Sequence, residues 1–143
     1  MTTPPVRVLL VEDHPADIVL TRKAFSRLTT PVQLDVVLDG FEAMRFLRQQ
    51  GRYQNTVRPH LILLDLNMPR MDGREVLKAV GADPALKTIP IIVLTTSSAA
   101  SDVAMAYTLC ANSYLAKPVG FEDFLGVIAS IERYWFHTAL IPR

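Results

Sequence analysis

The fold is decided by one stretch of sequence, Arg58-Pro-His-Leu-Ile-Leu-Leu-Asp-Leu-Asn-Met-Pro-Arg-Met-Asp-Gly73. Its four consecutive apolar residues, Leu61 to Leu64, lie between Pro59 and a segment rich in turn-forming residues, which is typical of a short strand buried on both faces. The strand ends on Asp65, and ligands bind at the carboxyl ends of strands in open parallel sheets. Taken alone, the stretch leaves two interpretations of Asp65 open, a solvated strand-end carboxylate and a functional acid.

Four further segments, rich in β-branched and apolar residues, predict strands at 6–11, 32–38, 89–94 and 113–116. Helical patterns follow each strand and predict helices at 15–28, at the stripe Phe41, Met44 and Leu47, at about 74–80, at the face Val103, Ala106, Tyr107 and Cys110, and at 120 to about 136. The later hydroxyls of Thr95 to Ser98 are expected to cap the fourth helix. Five β-α units in a row predict an α/β fold with a doubly wound sheet of five parallel strands.

The composition is that of one globular domain, with 143 residues, 50% of them apolar and 20% charged. We expect a flexible N-terminus at 1–5, a domain at 6–136 and a tail at 137–143. The net charge of +1 comes from 15 basic and 14 acidic residues that are well mixed. That balance gives no electrostatic footprint for nucleic acid or for an anionic membrane.

The cysteine content and the apolar runs bear on the compartment. Cys110 is the only cysteine, which excludes an internal disulfide and a multi-cysteine metal site and fits a reducing compartment. No apolar run has the length of a membrane span, and the N-terminus lacks the pattern of a signal peptide. The expected location is the cytoplasm.

Polar side chains end four of the five predicted strands: Glu12 and Asp13, then Asp65, Thr95 and Lys117. Parallel strands bring all five to one edge of the sheet. Carboxylates a few Å apart repel by up to about 4 kcal/mol per pair at a protein surface, so they favour a bound cation. Oxygen ligands with room for waters favour Mg²⁺.

A metal ion, an ammonium and a hydroxyl donor around a carboxylate are the parts that phosphoryl transfer to an aspartate requires. Asp65 is the predicted nucleophile. Each residue also fits a structural interpretation, with Thr95 as a helix cap, Lys117 as a solvated charge and Glu12-Asp13 as an acid pair at a helix N-terminus. Five such residues at one edge favour the functional interpretation.

Four motifs resemble those of two-component response-regulator receiver domains, over about residues 6–136. They are Leu-Leu-Val-Glu-Asp at 9–13, Leu-Leu-Asp-Leu-Asn-Met-Pro at 63–69 with Asp72-Gly73, Leu-Thr-Thr-Ser at 94–97, and Ser-Tyr-Leu-Ala-Lys-Pro at 113–118. The longer phrasing around 58–69 resembles the single-domain regulators that accompany bacterial and cyanobacterial phytochrome histidine kinases. The resemblance implies the flavodoxin-like (βα)₅ receiver fold and a signalling protein whose only reactions are its own phosphorylation and dephosphorylation.

The resemblance also implies roles for individual residues. Asp65 would accept a phosphoryl group from a kinase phosphohistidine, with Mg²⁺ held by Asp13, Asp65 and the Asn67 carbonyl, and by Glu12 through water. Lys117 would pair with the phosphoryl oxygens, and its peptide bond to Pro118 would be cis. Further implied roles are a switch formed by Thr95 and Tyr114, and tuning of self-dephosphorylation by Asn67 and Ser97.

Three residues depart from the family pattern. Cys110 replaces a helix-ending glycine, so we expect the left-handed cap to move to Asn112. His60, in place of a more common acid, is expected to be a surface residue. His14 adjoins the acid pair, and the sequence leaves open whether it contacts the kinase or the phosphate.

The apolar arc of the last predicted helix is wide enough to pack on the sheet and leave a patch for a partner. We expect a symmetric homodimer through the fourth helix, fifth strand and fifth helix, with Phe124, Ile131, Tyr134 and Trp135 at the interface. The alternative is a tail that folds back over its own core. No output domain is recognised, so the signal is expected to pass to an unknown partner protein, or the chain serves as a phosphate sink or shuttle.

Two other function classes use similar elements. A Mg²⁺-dependent phosphatase of the haloacid-dehalogenase type needs a second aspartate two residues after the nucleophile, and Asn67 stands there. A flavodoxin-like nucleotide binder needs a glycine-rich loop after the first strand, and none follows. A receiver that has lost phosphate acceptance is disfavoured because every site residue is present.

Overall fold

The computed structural model describes residues 4–142. Its five strands are β1 (Val6–Val11), β2 (Val32–Val37), β3 (Leu61–Leu64), β4 (Ile91–Thr95) and β5 (Ser113–Ala116). Its five α-helices are α1 (Pro15–Ser26), α2 (Gly40–Leu47), α3 (Gly73–Ala82), α4 (Ala100–Thr108) and α5 (Phe121–Ile131). A short 3₁₀ turn, Gly51–Tyr53, follows α2, and a π-helix, Glu132–Thr138, continues α5.

The strands form one parallel sheet in the order β2-β1-β3-β4-β5, which confirms the predicted doubly wound fold. β3 lies at its centre and is buried along its whole length. Alternate side chains of the central strands point to opposite faces. One face packs against α2, α3 and Ala106 of α4, and the other packs against α1 and α5.

Gly73 fixes the distance between the end of β3 and the start of α3. A Cβ atom at this position would lie 2.3 Å from the Asp65 carbonyl oxygen and 2.7 Å from the Leu66 Cα. The Gly73 N–H donates to the Leu66 carbonyl at 3.0 Å. Asp72 and Glu75 form a capping box that starts α3. The Asp72-Gly73 pair therefore folds the helix tightly against the strand end that carries Asp65.

Asp39, between β2 and α2, holds the same loop from the other side. Its side chain caps α2 by accepting from the Glu42 N–H at 2.8 Å, and it pairs with Arg70, whose Nη2 lies 2.6 Å from Asp39 Oδ2. Arg70 has a φ of 64°, a left-handed conformation that costs energy for a side chain other than glycine. The Gly40 N–H donates to the Met71 carbonyl at 2.8 Å. The loop after Asp65 is thus clamped at both ends.

The end of α4 corrects one expectation. Cys110 itself has a φ of 71°, so this cysteine adopts the left-handed conformation expected to move to Asn112. Asn112 has another task, because its Oδ1 accepts a hydrogen bond from the Ile91 N–H at 2.8 Å. The prediction that the cap moves was wrong, since the backbone keeps the turn at Cys110 and tolerates its exposed side chain.

Two smaller expectations near the sheet edge were also wrong. The N-cap of α4 is Ala99, which has no side-chain oxygen, so none of the hydroxyls of Thr95 to Ser98 caps this helix. The hydroxyl of Ser97 donates to the Asp102 side chain at 2.6 Å. The peptide bond between Lys117 and Pro118 is trans rather than cis.

The C-terminal segment corrects part of the predicted interface. Phe124 and Ile131 are each 1% exposed and lie in the core beneath α5, so their side chains cannot form an interface with a second molecule. Tyr134 is 54% exposed, and Trp135 packs partly against the core. The helix continues through Thr138 as a π-helix, which takes up the start of the predicted tail. Most of the predicted N-terminal segment and Arg143 lie outside the described residues.

Within the part of the chain that the structure describes, every helix is too short or too polar to span a bilayer.

Candidate functional site

The carboxyl edge of the sheet carries a buried acidic group. Glu12 and Asp65, which follow β1 and β3, are 1% and 4% exposed, and Asp13 is partly buried. Oxygen atoms of these three carboxylates and the Nδ1 of His14 all lie within 4.8 Å of one another. The predicted convergence of the acids at one sheet edge is therefore present.

Lys117, which follows β5, brings a cation into this group. Its side chain is 7% exposed and its ammonium is hydrogen bonded to Glu12 Oε1 and, at 3.0 Å, to Asp17 Oδ2. Asp65 Oδ2 lies at 3.7 Å from the same nitrogen. Burial lowers the pKa of Lys117, but the hydrogen bond to Glu12 and the charges of Glu12 and Asp65 outweigh it and raise the pKa above its ordinary value. The ammonium is therefore charged at neutral pH.

Glu12 is held from two directions. Its Oε2 accepts from the backbone N–H groups of Asp13 at 3.1 Å and His14 at 3.3 Å, while its Oε1 binds Lys117. Burial raises the pKa of Glu12 and the charge of Asp65 acts in the same direction, although Lys117 opposes both. The hydrogen bonds to both of its oxygens fix the Glu12 carboxylate where it accepts from the Lys117 ammonium.

Asp13 has an unused acceptor. Its Oδ1 is buried and accepts no hydrogen bond from the described residues, although the Nδ1 of His14 lies 3.4 Å away. His14 is itself exposed, and its hydrogen bond with Glu12 followed by the charge of Asp13 raises its pKa. A buried carboxylate oxygen without a partner is costly unless something else binds it.

Thr95, the last residue of β4, is fully buried. Its Oγ1 also has no hydrogen-bond partner among residues 4–142. The Lys117 N–H donates to the Thr95 carbonyl at 2.7 Å. The Thr95 hydroxyl is therefore a buried donor without an acceptor at the carboxyl end of β4.

A chain of hydrogen bonds fixes the loop that follows Thr95. The hydroxyl of Tyr114 donates to the Ser97 carbonyl at 2.8 Å, and the hydroxyl of Ser97 donates to Asp102 at 2.6 Å. Arg74 of α3 donates to the other oxygen of Asp102 at 2.8 Å. The bonds from Ser97 and Arg74 lower the pKa of Asp102. We call Tyr114, Ser97, Asp102 and Arg74 the outer chain.

The family is decided by a comparison of the whole sequence. A sequence model of the response regulator receiver domain matches residues 8–129. The chain belongs to the response regulator receiver family. The response regulator Rcp1 of Synechocystis is 45% identical to this receiver over 141 residues, which are 99% of this chain and 96% of Rcp1.

Solved structures of related receivers have the same fold. The phosphorylated cyanobacterial phytochrome response regulator RcpA superposes with a TM-score of 0.94 at 44% identity, covering 98% of this chain and all of that one. The Mn²⁺-bound form of Rcp1 superposes with a TM-score of 0.91 at 45% identity, covering 97% of this chain and all of that one. The resemblance to regulators of the phytochrome type is confirmed.

Two other residues that the sequence singles out flank β3 along the chain. The side chain of Asn67 is exposed in the loop after Asp65. His60 lies at the start of β3, where its Nδ1 accepts from the Arg7 N–H at 3.0 Å and the His60 N–H donates to the Arg7 carbonyl. That position is at the opposite end of β3 from Asp65.

Sequence patterns did not predict three residues that contact the site or its loop. Asp17, in the first turn of α1, has the position of an ordinary helix-start acid, and nothing near it in sequence indicates Lys117. Arg74 and Asp102 lie 28 residues apart and meet only because α3 and α4 are neighbours on one face of the sheet.

Proposed function

We propose that this receiver accepts a phosphoryl group on Asp65 from the phosphohistidine of a sensor histidine kinase. One observation carries the proposal: the Asp65 carboxylate lies at the buried end of the central strand, with two further carboxylates and the Lys117 ammonium around it. A carboxylate in such a setting is a suitable nucleophile for phosphorus. The family to which the chain belongs agrees with this role.

The residues present fit a divalent metal ion. The Oδ1 of Asp13, which accepts no hydrogen bond from the described residues, lies among carboxylate oxygens that approach one another within 4.8 Å, and such hard oxygen ligands suit Mg²⁺. Asp13 and Asp65 would hold the ion with the Asn67 carbonyl, and Glu12 would act through water. When bound, Mg²⁺ neutralises negative charge and draws phosphoryl oxygens into place. Rcp1, a relative, has been crystallised in a Mn²⁺-bound form.

The transfer step needs one displacement at phosphorus. An oxygen of Asp65 forms the new P–O bond as the P–N bond to the kinase histidine breaks, and the electron pair of that bond stays on the imidazole nitrogen. Lys117 supplies positive charge to the phosphoryl oxygens, and Thr95 supplies the buried hydroxyl that has no other partner. The product is an aspartyl phosphate, whose later hydrolysis Asn67 and Ser97 tune.

Phosphorylation then changes the conformation of the protein through Thr95. When its hydroxyl turns to a phosphoryl oxygen, the following loop moves, and Ser97 and Tyr114 move with it because Tyr114 donates to the Ser97 carbonyl. This is a shift between two populations of one loop and one aromatic side chain. The surface that changes comprises α4, β5 and α5.

The kinase is expected to be of the phytochrome type, because RcpA is named as a phytochrome response regulator and its structure covers nearly the whole chain. The lone thiol of Cys110 fits a reducing compartment, so we expect the exchange in the cytoplasm. A phytochrome-type kinase carrying radiolabelled phosphohistidine should pass its label to the wild type and not to Asp65→Asn. Transfer only from an unrelated sensor kinase would contradict the phytochrome link and leave the acceptor role standing.

We further propose that the changed surface serves a homodimer. A groove of about 580 Å³ runs between the edge strand β5 and the end of α5, and Leu115, Tyr134 and Trp135 line it. Tyr134 and Trp135 stack edge to face with ring centroids 5.1 Å apart, which presents a rigid aromatic pair at this edge. Trp135 packs against the core cluster that contains Phe124 and Ile131. We also propose that the same surface passes the signal to a downstream partner protein.

Sedimentation velocity tests the dimer directly. We expect the wild type to sediment as a dimer, at least with beryllofluoride and Mg²⁺ as a phosphoryl mimic, and a Tyr134→Ala, Trp135→Ala double variant to sediment as a monomer. Phe41→Ala is the matched control, because Phe41 is an exposed aromatic residue on α2. A monomeric wild type in both states would rule the dimer out and favour a phosphate sink or shuttle.

A further inference from the structure

Asp17 is a second anion on Lys117 that the phosphoacceptor site does not require. It is the third residue of α1, after Pro15 and Ala16, and its side chain is about one-third exposed. Its Oδ2 lies 3.0 Å from the Lys117 ammonium, across 100 residues of sequence. An acid in the first turn of a helix also interacts with the helix dipole, but that interaction needs no lysine.

The position of the ammonium is set by two carboxylates and not by the acceptor. Lys117 donates to Glu12 and to Asp17, whereas Asp65 Oδ2 lies at 3.7 Å, beyond a good hydrogen bond. Glu12 cannot swing, because two backbone N–H groups hold its other oxygen. Asp17 is therefore the contact that draws the ammonium to the side of α1 and away from Asp65.

We propose that Asp17 is a positioning residue for phosphoryl transfer: it holds the Lys117 ammonium 3.7 Å from Asp65 Oδ2, near the acceptor carboxylate but not hydrogen bonded to it, so that this oxygen stays available for attack. This inference rests on the proposed role of Asp65. Asp17 itself touches neither the phosphorus nor the metal ligands, and it acts through Lys117.

The loss of Asp17 removes one of the hydrogen-bond acceptors of the Lys117 ammonium. A buried ammonium with three donors needs acceptors, and the nearest anion besides Glu12, which it already contacts, is Asp65. A movement of about 1 Å would bring the two within the length of a charge-assisted hydrogen bond. The Asp65 oxygen that accepts this bond is a weaker nucleophile, and the ammonium is no longer placed to meet the incoming phosphoryl oxygens.

The rate of phosphoryl uptake from acetyl phosphate with saturating Mg²⁺ is the first test. The Asp65 oxygen forms a P–O bond while the P–O bond to acetate breaks, and acetate leaves with the electron pair, so intact mass follows the product. We expect Asp17→Ala to react about five-fold more slowly, the scale of one ordinary hydrogen bond, because the Asp17 side chain is partly exposed. Asp17→Asn should lie nearer the wild-type rate, because its amide oxygen still accepts from Lys117.

Asp123→Ala is the matched control. Asp123 is the third residue of α5 and is exposed, so it has the same helix position as Asp17 without the contact to Lys117. It should react at the wild-type rate. Wild-type rates for both Asp17 variants would overturn the inference and leave the proposed function intact, whereas a wild type that takes up no phosphoryl group would overturn the proposed function.

A crystal structure of Asp17→Ala decides the position of Lys117 without any phosphoryl chemistry. We expect the ammonium within hydrogen-bond distance of Asp65, and the same structure of Asp17→Asn serves if the alanine variant fails to fold. An ammonium that stays 3.7 Å from Asp65 Oδ2, as in the wild type, would overturn the inference whatever the uptake rates.

Discussion

The two flanks of Asp65 differ in how their functional groups are held. One set of groups, which we call the charged flank, follows β1 and β5 and includes the start of α1: Lys117 is bound by Glu12 and Asp17, and Glu12 is bound again by backbone N–H groups. The other set, which we call the Thr95 flank, lies at the end of β4: among residues 4–142 the Thr95 hydroxyl has no hydrogen-bond partner, and the outer chain holds the loop that follows it. In the charged flank the functional groups themselves are hydrogen bonded, whereas in the Thr95 flank the hydrogen bonds are made by the loop that follows Thr95.

This difference follows from what each flank must do. Charges taken out of water need partners at once, because an unpaired buried charge is costly. A neutral hydroxyl costs far less when it is left unpaired. The phosphoryl group that we propose on Asp65 would supply the acceptor that the Thr95 hydroxyl lacks. We infer that the charged flank is fixed and that the Thr95 flank is the part that moves.

Lys117→Met should produce the largest effect, because it leaves Glu12 and Asp65 buried without their cation. We expect the free energy of unfolding of the unphosphorylated protein to fall by about 3 kcal/mol, the typical cost of breaking a buried ion pair from one side. Urea unfolding measures it, with Lys78→Met, an exposed lysine on α3, as the control. Equal stability of wild type and Lys117→Met would show that the flank is not held by this ammonium.

Thr95→Val should have the opposite sign. Removal of a buried hydroxyl without a partner is expected to raise the free energy of unfolding by about 1 kcal/mol and to weaken the binding of beryllofluoride.

The control for that variant is Thr21→Val. The hydroxyl of Thr21 is equally buried but donates to the Asp17 carbonyl at 2.7 Å, so its loss should bring no gain in stability. If both valine variants changed stability by the same amount, the claim that Thr95 waits unpaired would fail.

Arg74→Ala tests the outer chain from its far end. Arg74, in the first turn of α3, donates to Asp102, which accepts from Ser97. Release of the loop should raise the affinity for beryllofluoride about two-fold, as expected when a partly exposed pair worth roughly 0.5 kcal/mol is removed from the resting state only. Arg48→Ala, which removes a pair with Asp83 at 3.6 Å, should leave the affinity unchanged. An unaltered affinity in Arg74→Ala contradicts a role for the outer chain.

The smallest effect concerns pH and the carboxylate of Asp102. Its pKa is lowered in the folded protein by Ser97 and Arg74, so its contribution to stability is present above the ordinary aspartate pKa and is lost as the pH falls through the lower folded-state value. The difference in stability between wild type and Asp102→Asn should therefore shrink on acidification from neutral pH to about pH 3. A difference independent of pH would place the effect of the variant elsewhere.

The sequence predicted the elements whose signals are local. Five apolar runs with helical patterns between them gave the strand count and the parallel sheet, and the strand ends placed Glu12, Asp13, Asp65, Thr95 and Lys117 at one edge. The wide apolar arc of α5 was read correctly as packing on the sheet, but its assignment to an interface was wrong for Phe124 and Ile131. Periodicity shows which side chains are apolar and cannot divide them between a core and a partner.

The residues that were missed depend on contacts between distant segments. Asp17 meets Lys117, and Arg74 meets Asp102, only after the helices pack on the sheet, and each has an ordinary local explanation. Cys110 shows the reverse case, since it adopts a left-handed backbone that the local preference of a cysteine disfavours. Local sequence patterns therefore predicted the residues at the strand ends, but the contacts that hold Lys117 and Asp102 in position depend on the tertiary fold.

The central claim is that Asp65 accepts the phosphoryl group, and intact mass measures it most directly. Wild type and Asp65→Asn are incubated with acetyl phosphate and Mg²⁺ and are weighed under conditions that preserve acyl phosphates. We predict one added phosphoryl group on the wild type, lost when Mg²⁺ is removed by a chelator beforehand, and none on Asp65→Asn. An unmodified wild type, or a variant that gains the same mass, would contradict the account.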